Sequence, residues 1–441
     1  MLTITPTIAP TIELTESQTL AKATIEEWLE SGATFAVLTG YAGTGKTTVL
    51  QQIVKQVIDT RSVAMASPTH KATSVLRRMS AEWGINVQCV TVHQLLGLKP
   101  RVINAETGEQ KFIPDPGVIP KVDQFSLIII DECSMIGTDL FEHIYNAVVE
   151  SADIFHSAQV LFVGDPAQLN PVNESASPSF DVNGVQVSLT EIVRYSGAIA
   201  HLAEDVRINN RRVKFPRFEM MRDDNSNGIY AYQANQSAQW QRQLIRAFEK
   251  SIEINSPDFV RVLAYTNTRV VELNSIIKHA IHGDDCPRFF PGQRLMANSP
   301  IMDGSKTLIP NSAEFTIITA DKTTFPCRGE QWEGWRLTTD FEGLKEVRVL
   351  AKTKEPALRQ ALASLKRDKR WKEFYRLLQY WHDVRDVFAL TVHKSQGSTF
   401  SNVFLDADNL RICRKTAERN ALLYVALTRA SQRVMVLGGE A

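Results

Sequence analysis

A glycine-rich segment between two apolar patterns places the tightest limit on what this chain can fold into. The segment reads Gly40-Tyr41-Ala42-Gly43-Thr44-Gly45-Lys46-Thr47 and matches G-x-x-x-x-G-K-[ST] in full. A short apolar run, 35–39, precedes it with strand character, and helical spacing of apolar residues follows it over 48–57. A strand, this motif and a helix in that order predict a phosphate-binding P-loop, with a chance glycine turn as the alternative.

The P-loop predicts both a ligand and its contacts. Glycines allow backbone N–H groups to wrap phosphates at a helix N-terminus, where the helix dipole also favours negative charge. Lys46 is expected to reach the β- and γ-phosphates, and the Thr47 hydroxyl is expected to ligate Mg²⁺. We therefore predict ATP and Mg²⁺ as ligands, bound at Gly43, Thr44, Gly45, Lys46, Thr47 and Thr48.

Two carboxylates, Asp131 and Glu132, directly follow the apolar run 127–130. In an open α/β sheet, ligands bind beyond the carboxyl ends of the strands. We expect Asp131 to hold the magnesium ion and Glu132 to orient the attacking water or to accept its proton, because hydrolysis needs both roles. A strand that ends in an exposed acidic turn is the alternative.

Two glutamines extend this predicted site. Gln168 follows the apolar run 160–163, and we expect it to touch the γ-phosphate and to report its loss. Gln18 precedes the first helical pattern, and its amide offers the paired donor and acceptor that an adenine edge requires. A solvated glutamine at a helix start is the alternative for Gln18.

Composition excludes several classes of protein. The chain has 441 residues, of which 44% are hydrophobic and 22% charged, so it is neither mostly disordered nor fibrous, and two to four domains are expected. Forty-nine basic residues balance forty-nine acidic ones, so any basic surface must be local. Five dispersed cysteines without C-x-x-C argue against a disulfide framework or a zinc site. Without a signal peptide or a long apolar run, we expect a cytoplasmic protein and no membrane partner.

Buried-strand signals fall into two separated sets with helical patterns between them. They lie at 35–39, 63–66, 127–130 and 160–163 in the first half, and at 259–265, 387–391, 403–405 and 434–437 in the second. Continuous apolar strands that alternate with helices predict parallel sheets, and hence an α/β fold with two such domains.

Two stretches interrupt this alternation of strands and helices. The first, 98–116, reads as a β-hairpin whose turn lies at 105–108. The second, 282–385, has short β patterns followed by helical spacing over 358–380, which predicts a small β module with a helical arm inserted into the second domain.

The motifs occur in an order that resembles superfamily 1 helicases of the 5′-to-3′ group, the RecD-like enzymes with their Dda-like subgroup. They are Gly40–Thr47, Ser67–Ala72, Thr91–His93, Asp131–Met135, Gly164–Gln168, Leu189–Arg194, Ala264–Asn267, Thr391–Gly397 and Tyr424–Arg429. Many ATPases share a P-loop, whereas this ordered set spans nearly the whole chain. The resemblance implies a RecA-like domain at 1–188, a second at 189–281 plus 386–441, a strand-splitting pin at about 98–116, and an SH3-like accessory domain at 282–385.

The resemblance also implies functional groups from the second domain. Arg194 and Arg429 look like arginine fingers, which neutralise a transferring phosphoryl group only when two domains close around it. Gln396 and Gly397 look like contacts on the γ-phosphate side. For each arginine, a surface or interface salt bridge is the alternative.

Ten residues at strand ends form the predicted nucleic-acid track. Hydroxyl, amide and imidazole groups there can bind backbone phosphate without reading bases, as a motor that moves along any sequence requires. They are Pro68, Thr69, His70, Thr91 and His93 in the first half, and Thr266, Asn267, Thr391, His393 and Lys394 in the second. A core or loop role is the alternative for any one histidine.

The pin and the arm contain further candidate residues. The hairpin has apolar candidates for contact with a base pair, but Phe112 lies on the return strand and no aromatic residue stands at the tip. Between Arg359 and Arg376 seven basic residues stand against two acidic ones, with aromatic residues interleaved. This stretch predicts either a nucleic-acid contact or an amphipathic helix whose aromatic side chains face a core.

The resemblance implies an ATP-dependent DNA helicase that moves 5′ to 3′ on single-stranded DNA and opens single-strand/duplex junctions. An ATP-driven translocase or remodelling switch without autonomous unwinding is the alternative, and a small-molecule kinase fits the second motif set poorly. We expect a monomer, with single-strand-binding, replication or recombination proteins as further candidate partners.

Overall fold

A computed structural model describes residues 13–104, 109–150, 158–193, 197–208, 218–303 and 306–438. The chain divides into two compact units. The larger unit comprises Met1–Lys99, Phe112–Arg269 and Leu390–Ala441, and the smaller comprises Pro100–Lys111 and Val270–Ala389. Within the described part of the chain, no helix has both the length and the apolarity needed to cross a membrane.

The first half of the chain alternates strands and helices as the apolar runs predict. Its elements are α1 Glu16–Ser31, β1 Phe35–Gly40, α2 Lys46–Val57, β2 Val63–Ser67, α3 His70–Glu82, β3 Gln88–Thr91, α4 Val92–Leu95, β4 Leu98–Asn104, β5 Glu109–Pro114, β6 Leu127–Ile130, α5 Thr138–Glu150, β7 Gln159–Gly164, β8 Val185–Leu189 and α6 Gly197–Ile208. β4 and β5 pair only with each other, which confirms the predicted hairpin; its turn, 105–108, lies outside the described residues.

Six of these strands form one parallel sheet in the order β3-β2-β6-β7-β1-β8. Its central strands are buried along their length because helices cover both faces, which explains their unbroken apolar sequences. On one face of the sheet lie Ile25 and Trp28 of α1 and Leu50 of α2, and on the other face Phe162 of β7 packs with Ile144 and Val148 of α5. The order places the carboxyl ends of β1, β6 and β7 side by side, and these are the strands that lead into the predicted nucleotide residues.

The second half contains a second set of strands and helices. Its elements are β9 Met221–Arg222, β10 Gly228–Tyr232, α7 Ser237–Glu253, β11 Val260–Ala264, α8 Asn267–His282, β12 Arg294–Ala297, β13 Ile301–Asp303, β14 Lys306–Ile309, β15 Glu314–Cys327, β16 Glu330–Thr339, β17 Lys345–Leu350, α9 Glu355–Arg367, α10 Trp371–Tyr380, β18 Val384–Asp386, β19 Ala389–Thr391, α11 Val392–Ser395, β20 Phe400–Asp406, α12 Ala407–Leu410, α13 Thr416–Thr428 and β21 Ala430–Leu437.

A second six-stranded sheet has the order β19-β11-β20-β21-β10-β9. β11, β20, β21 and β10 pair in parallel, and the short edge strand β9 pairs antiparallel to β10. α13 is buried along most of its length, from Leu422 to Thr428 without interruption. The two sets of apolar runs therefore do form two α/β sheets, as predicted.

The inserted stretch folds around an antiparallel sheet of order β17-β16-β15-β12-β18. The helical arm consists of α9 and α10, whose Leu365 and Leu377 pack with Trp332 and Trp381 in one apolar cluster. Phe374 and Tyr380 lie against the same cluster, so these aromatic side chains face a core, as the amphipathic alternative proposed. The basic side chains of the arm are exposed.

Candidate functional site

The P-loop joins β1 to α2 through backbone that only glycine adopts at low cost. Gly43 has φ 82° and Gly45 has φ 81°, both in the left-handed region. Among the residues that the structure describes, no side chain caps the start of α2. The N–H groups of its first turn are thus available for an anion, as the motif predicts.

The Lys46 side chain folds back over the loop. Its Nζ donates to the carbonyl oxygens of Gly40 at 2.6 Å and of Tyr41 at 3.2 Å, and the Thr44 hydroxyl donates to the same Tyr41 carbonyl at 2.9 Å. Phosphate oxygens form stronger, charge-assisted hydrogen bonds with an ammonium than neutral carbonyls do. Lys46 is therefore held where a phosphate group can take over these bonds.

Gln18 lies directly against the P-loop. Its Nε2 donates to the carbonyl oxygen of Thr44 at 2.9 Å, and its Oε1 accepts from the backbone of Thr15 at 3.1 Å in a capping box. The expectation that Gln18 precedes the first helix is wrong, because Gln18 is the third residue of α1, and there it contacts a P-loop residue 26 positions away. Both amide atoms already have partners inside the protein, and the adenine contact stays a prediction.

Asp131 and Glu132 follow β6, where the backbone turns sharply. Glu132 has φ 57°, a strained conformation for a residue with a side chain and one that recurs at functional sites. Its N–H donates to the Asp131 carboxylate at 2.8 Å. Burial, and then the carboxylates of Asp131 and Glu132, raise the pKa of the Cys133 thiol well above its usual range, so this cysteine stays protonated.

A magnesium ion prefers hard oxygen ligands. Thr47, the second residue of α2, supplies a hydroxyl, and Asp131 supplies a carboxylate at the end of β6. The donor chemistry of this pair fits the predicted ion.

Residues of the two sheets meet beside these groups. Gln396, which follows α11, donates from its Nε2 to the Oε1 of Gln168 at 3.0 Å, and both side chains are buried. Gly397 has φ 77°, and a Cβ atom added there would lie 3.9 Å from the Glu132 carboxylate. Two site residues predicted from opposite halves of the chain are thus in direct contact, and a third faces the predicted base.

Two residues of the site have no role in the predictions from sequence. Asp165 accepts from the Ala42 N–H at 2.7 Å and from the Tyr424 hydroxyl at 2.8 Å. Both residues stand inside motifs, Gly164–Gln168 and Tyr424–Arg429. Membership of a motif was the available signal, but only the fold shows that these two side chains touch.

Of the two predicted arginine fingers, the structure describes only Arg429. Arg194 lies outside the described residues. Arg429 is buried, and its guanidinium donates to the carbonyl oxygens of Val425 and Ser398 and to the Thr428 hydroxyl, all in the second sheet's domain. In this arrangement Arg429 braces the segment that carries Gln396 and Gly397, and its contact with phosphate stays a prediction.

The predicted nucleic-acid residues of the first half lie at two neighbouring strand ends. Ser67, which precedes Pro68 and Thr69, pairs with Thr91 in the register of β2 and β3. The hydroxyl of Thr69 caps α3, which begins at His70, and that of Thr91 caps α4. Each threonine therefore fixes the turn in which it stands.

His93 on α4 packs against the hairpin residue Phe112, with the two rings tilted by 41°. Its ring centroid lies 3.9 Å from that of Phe112 on β5. Burial, followed by the nearby His70 and His143, lowers the pKa of His93 to about 4. Any contact of His93 with nucleic acid near neutral pH is therefore made by the uncharged imidazole.

The second half repeats this arrangement. Thr266 and Asn267 follow β11, Thr391 is the last residue of the neighbouring strand β19, and His393 and Lys394 follow that strand. The side-chain oxygen of Asn409 accepts from the N–H groups of Tyr265 and Thr266, and Thr391 caps α11. Lys71 of α3 donates to the Lys394 carbonyl at 3.4 Å, so the two sets of strand ends adjoin.

Known families and relatives with similar sequences include helicases. Residues 13–225 match the AAA domain family, and residues 386–437 match the UvrD-like helicase C-terminal domain family. The chain is 25% identical to the ATP-dependent DNA helicase dda of Enterobacteria phage T4, over 95% of this chain and 97% of that protein. It is 29% identical to the RecBCD enzyme subunit RecD of Mycobacterium tuberculosis, over 41% of this chain and 32% of that protein.

Solved structures share the fold. The Pif1 helicase from Bacteroides, solved with ADP-AlF3 and single-stranded DNA, aligns with a TM-score of 0.52 at 17% identity, over 96% of this chain and 92% of that one. The Pif1 helicase from Candida albicans aligns with a TM-score of 0.51 at 18% identity, over 97% and 94%. The likeness confirms the predicted α/β class with two RecA-like domains, whereas an SH3-like form of the inserted sheet stays a prediction.

Proposed function

Because this chain belongs to the 5′-to-3′ group of superfamily 1 helicases, related to Dda and RecD, we propose that it is an ATP-dependent DNA helicase. It translocates 5′ to 3′ on single-stranded DNA and unwinds duplex DNA. The observation that carries this proposal is the hydrogen bond between Gln168 and Gln396, because it joins the nucleotide-binding domain to the second domain beside Glu132.

Each residue of the nucleotide site has a proposed task. The P-loop N–H groups and Lys46 hold the phosphates, and Glu132 orients the attacking water and accepts its proton. Arg194 and Arg429 neutralise charge on the phosphoryl group from the second domain. Thr47 and Asp131 would hold Mg²⁺, which supplies further charge neutralisation when bound.

Two neighbouring rows of strand ends form the proposed DNA track. Each row belongs to one RecA-like sheet, and the contact of Lys71 with Lys394 joins them. A change in the distance between the two domains would therefore change the spacing of the two grips on one strand. Repeated by ATP binding and hydrolysis, this change moves the protein along DNA.

The remaining assignments follow from the same proposal. The domains extend over 1–188, 189–281 plus 386–441, and 282–385, and the hairpin at about 98–116 is the pin that splits the duplex. The protein acts as a monomer in a bacterial or phage-infected cytoplasm. Single-strand-binding, replication or recombination proteins are its further partners.

The decisive experiment uses two partial duplexes, one with a 5′ single-stranded tail and one with a 3′ tail, in the presence of ATP and Mg²⁺. We expect only the 5′-tailed duplex to open. Opening of only the 3′-tailed duplex would contradict the assigned polarity. If neither duplex opens while single-stranded DNA still stimulates hydrolysis, the protein is a translocase or switch that needs a partner.

A further inference from the structure

The P-loop is held from the side by a tyrosine of the second domain. The hydroxyl of Tyr424, on α13, donates to the Asp165 carboxylate at 2.8 Å and lies 3.0 Å from the backbone nitrogen of Ala42. The Ala42 N–H also donates to Asp165, at 2.7 Å. We call this triangle of Tyr424, Asp165 and Ala42 the Tyr424 junction.

The junction is excluded from water. Asp165 is 0% exposed, Tyr424 2% and Ala42 3%. A carboxylate without solvent is costly to bury unless it accepts hydrogen bonds. Besides the bonds from Tyr424 and Ala42, Asp165 accepts from the Ala167 N–H at 2.9 Å on its other oxygen and from the Gln168 Nε2 at 3.5 Å. Withdrawal of Tyr424 would remove one charge-assisted bond from a buried anion, so the junction favours the arrangement in which the two domains touch.

A neighbouring contact reaches the preceding residue of the same loop. The guanidinium carbon of Arg207, on α6, lies 3.8 Å from the ring centroid of Tyr41. α6 packs against α13, so both side chains come from one side of the second domain. Two consecutive P-loop residues, Tyr41 and Ala42, are thus contacted by that domain, although neither belongs to the fixed letters of the motif.

We propose that the Tyr424 hydroxyl is a positioning group that transmits the placement of the second domain to the P-loop backbone through Asp165. This inference rests on the proposed helicase function and extends it. The arginine fingers and Gln396 are assigned to the phosphates, whereas Tyr424 acts on the loop that holds them. Nucleotide turnover therefore depends on domain placement through two contacts, Gln396 with Gln168 and Tyr424 with Asp165, and the Gln168 Nε2, 3.5 Å from the Asp165 carboxylate, joins them.

The test is Tyr424→Phe, which removes the hydroxyl and keeps the buried aromatic ring on α13. We expect the ATP kcat stimulated by single-stranded DNA to fall about tenfold, while the KM for ATP, the Kd for ADP and the melting temperature stay within about twofold or 2 °C of wild type. Tyr232→Phe, a second tyrosine of the same domain on β10, is the matched control and should change none of these quantities.

A double-mutant cycle with Asp165→Asn tests the partner. If the hydroxyl acts through Asp165, the double variant should be no slower than Asp165→Asn alone, because the two changes remove one interaction. A normal stimulated kcat in Tyr424→Phe would overturn the proposal, and so would a parallel loss of kcat, ADP affinity and melting temperature, which indicates a packing role.

The wild-type control separates this proposal from the one on which it rests. Wild-type protein whose hydrolysis ignores single-stranded DNA would overturn the helicase function and the positioning role together. Stimulated wild-type protein with an unaffected Tyr424→Phe variant would overturn the positioning role alone.

Discussion

At the scale of single residues, the nucleotide site depends on backbone geometry as much as on side-chain chemistry. Glu132 adopts a left-handed conformation directly after a buried strand, and its N–H donates to the neighbouring Asp131. Such strain persists only where the surroundings enforce it. We propose different tasks for the two adjacent carboxylates that this turn holds, and this proposal is the basis of the first prediction.

Glu132→Gln should bind ATP and stall its turnover. The amide keeps the shape of the side chain but cannot accept a proton at neutral pH, and a general base typically contributes 10²- to 10⁴-fold. Binding of a fluorescent ATP analogue and single-turnover hydrolysis measure the two quantities separately. Loss of nucleotide binding would contradict the assigned role.

Lys46→Ala should abolish hydrolysis, with a fall of about 100-fold or more, because the loop loses its only charged donor to the phosphates. Steady-state phosphate release with saturating single-stranded DNA measures this fall. Lys55→Ala, an exposed lysine in the last turn of the same helix, is the control. Near-normal turnover in Lys46→Ala would refute the P-loop assignment.

A buried histidine in the inserted stretch predicts a pH dependence of stability. His382 is 7% exposed, its Nδ1 accepts from the Arg348 N–H, and burial followed by the positive Arg348 lowers its pKa from 6.5 to about 4. Between pH 6.5 and about 4, His382 is protonated in the unfolded chain and neutral in the folded chain. Stability is therefore lost as the pH falls through this window, by about 3 kcal/mol in full.

His382→Asn removes the titration while an amide oxygen can still accept from Arg348. We expect chemical denaturation at pH 4.5, 5.5 and 7 to show a shallower pH dependence in this variant than in wild type or in the surface control His201→Asn. If the free energy of unfolding depends on pH as steeply in this variant as in wild type, His382 does not cause the loss of stability at acid pH.

At the scale of elements, one local motif, a strand followed by a short threonine-capped helix, occurs twice. The sequence Thr-Val-His occurs at 91–93 and at 391–393, where the threonine is the last residue of β3 and of β19 and caps a four-residue helix. A glycine with positive φ ends each unit, Gly97 at 62° and Gly397 at 77°. The first unit leads into the hairpin and the second into Gln396 and Gly397, and the histidine of the first packs against Phe112 while that of the second lies beside Tyr265.

The hairpin is anchored at its base. Phe112 packs against His93, and Lys99 pairs with Asp115 at 2.7 Å. Replacement of residues 104–108 by an Asn-Gly turn keeps this base and shortens the tip. We expect DNA-stimulated hydrolysis to stay within about twofold while unwinding of a 5′-tailed duplex falls at least about tenfold. Equal loss of both activities would indicate a structural role.

At the scale of the whole molecule, the charges balance, so long-range attraction to DNA is weak. Of the ten predicted track residues Lys394 alone carries a permanent positive charge, and His93 is neutral near pH 7. Each phosphate neutralised on a single strand contributes about −0.7 to the slope of log K against log salt. We therefore predict a slope shallower than about −2 for binding of oligo-dT between 50 and 300 mM salt.

The basic arm is the alternative source of a steep slope. If the measured slope is −4 or steeper, charges outside the track bind DNA, and the exposed residues between Arg359 and Arg376 are the first to replace with glutamine. Binding measured by fluorescence anisotropy without nucleotide keeps this test independent of hydrolysis.

Sequence patterns by themselves determined the parts that depend on near neighbours along the chain. The P-loop, the carboxylates after β6 and both sets of buried strands follow from spacing and apolar runs, because a strand or a phosphate-binding turn is specified within about ten residues. The motif order then indicated the family. The same local rules predicted the hairpin and the antiparallel module, but not its detailed form.

Only the tertiary structure decided which distant groups touch. Tyr424 and Ala42 are 382 positions apart, and no periodicity relates them. From sequence, Phe374 of the arm fits both a DNA surface and a core, and only the fold shows that it packs in the cluster with Trp332 and Trp381. The threonines of the track serve as helix caps, a role that depends on where each helix begins. Long-range packing sets these contacts because burial and hydrogen-bond satisfaction are properties of the assembled chain.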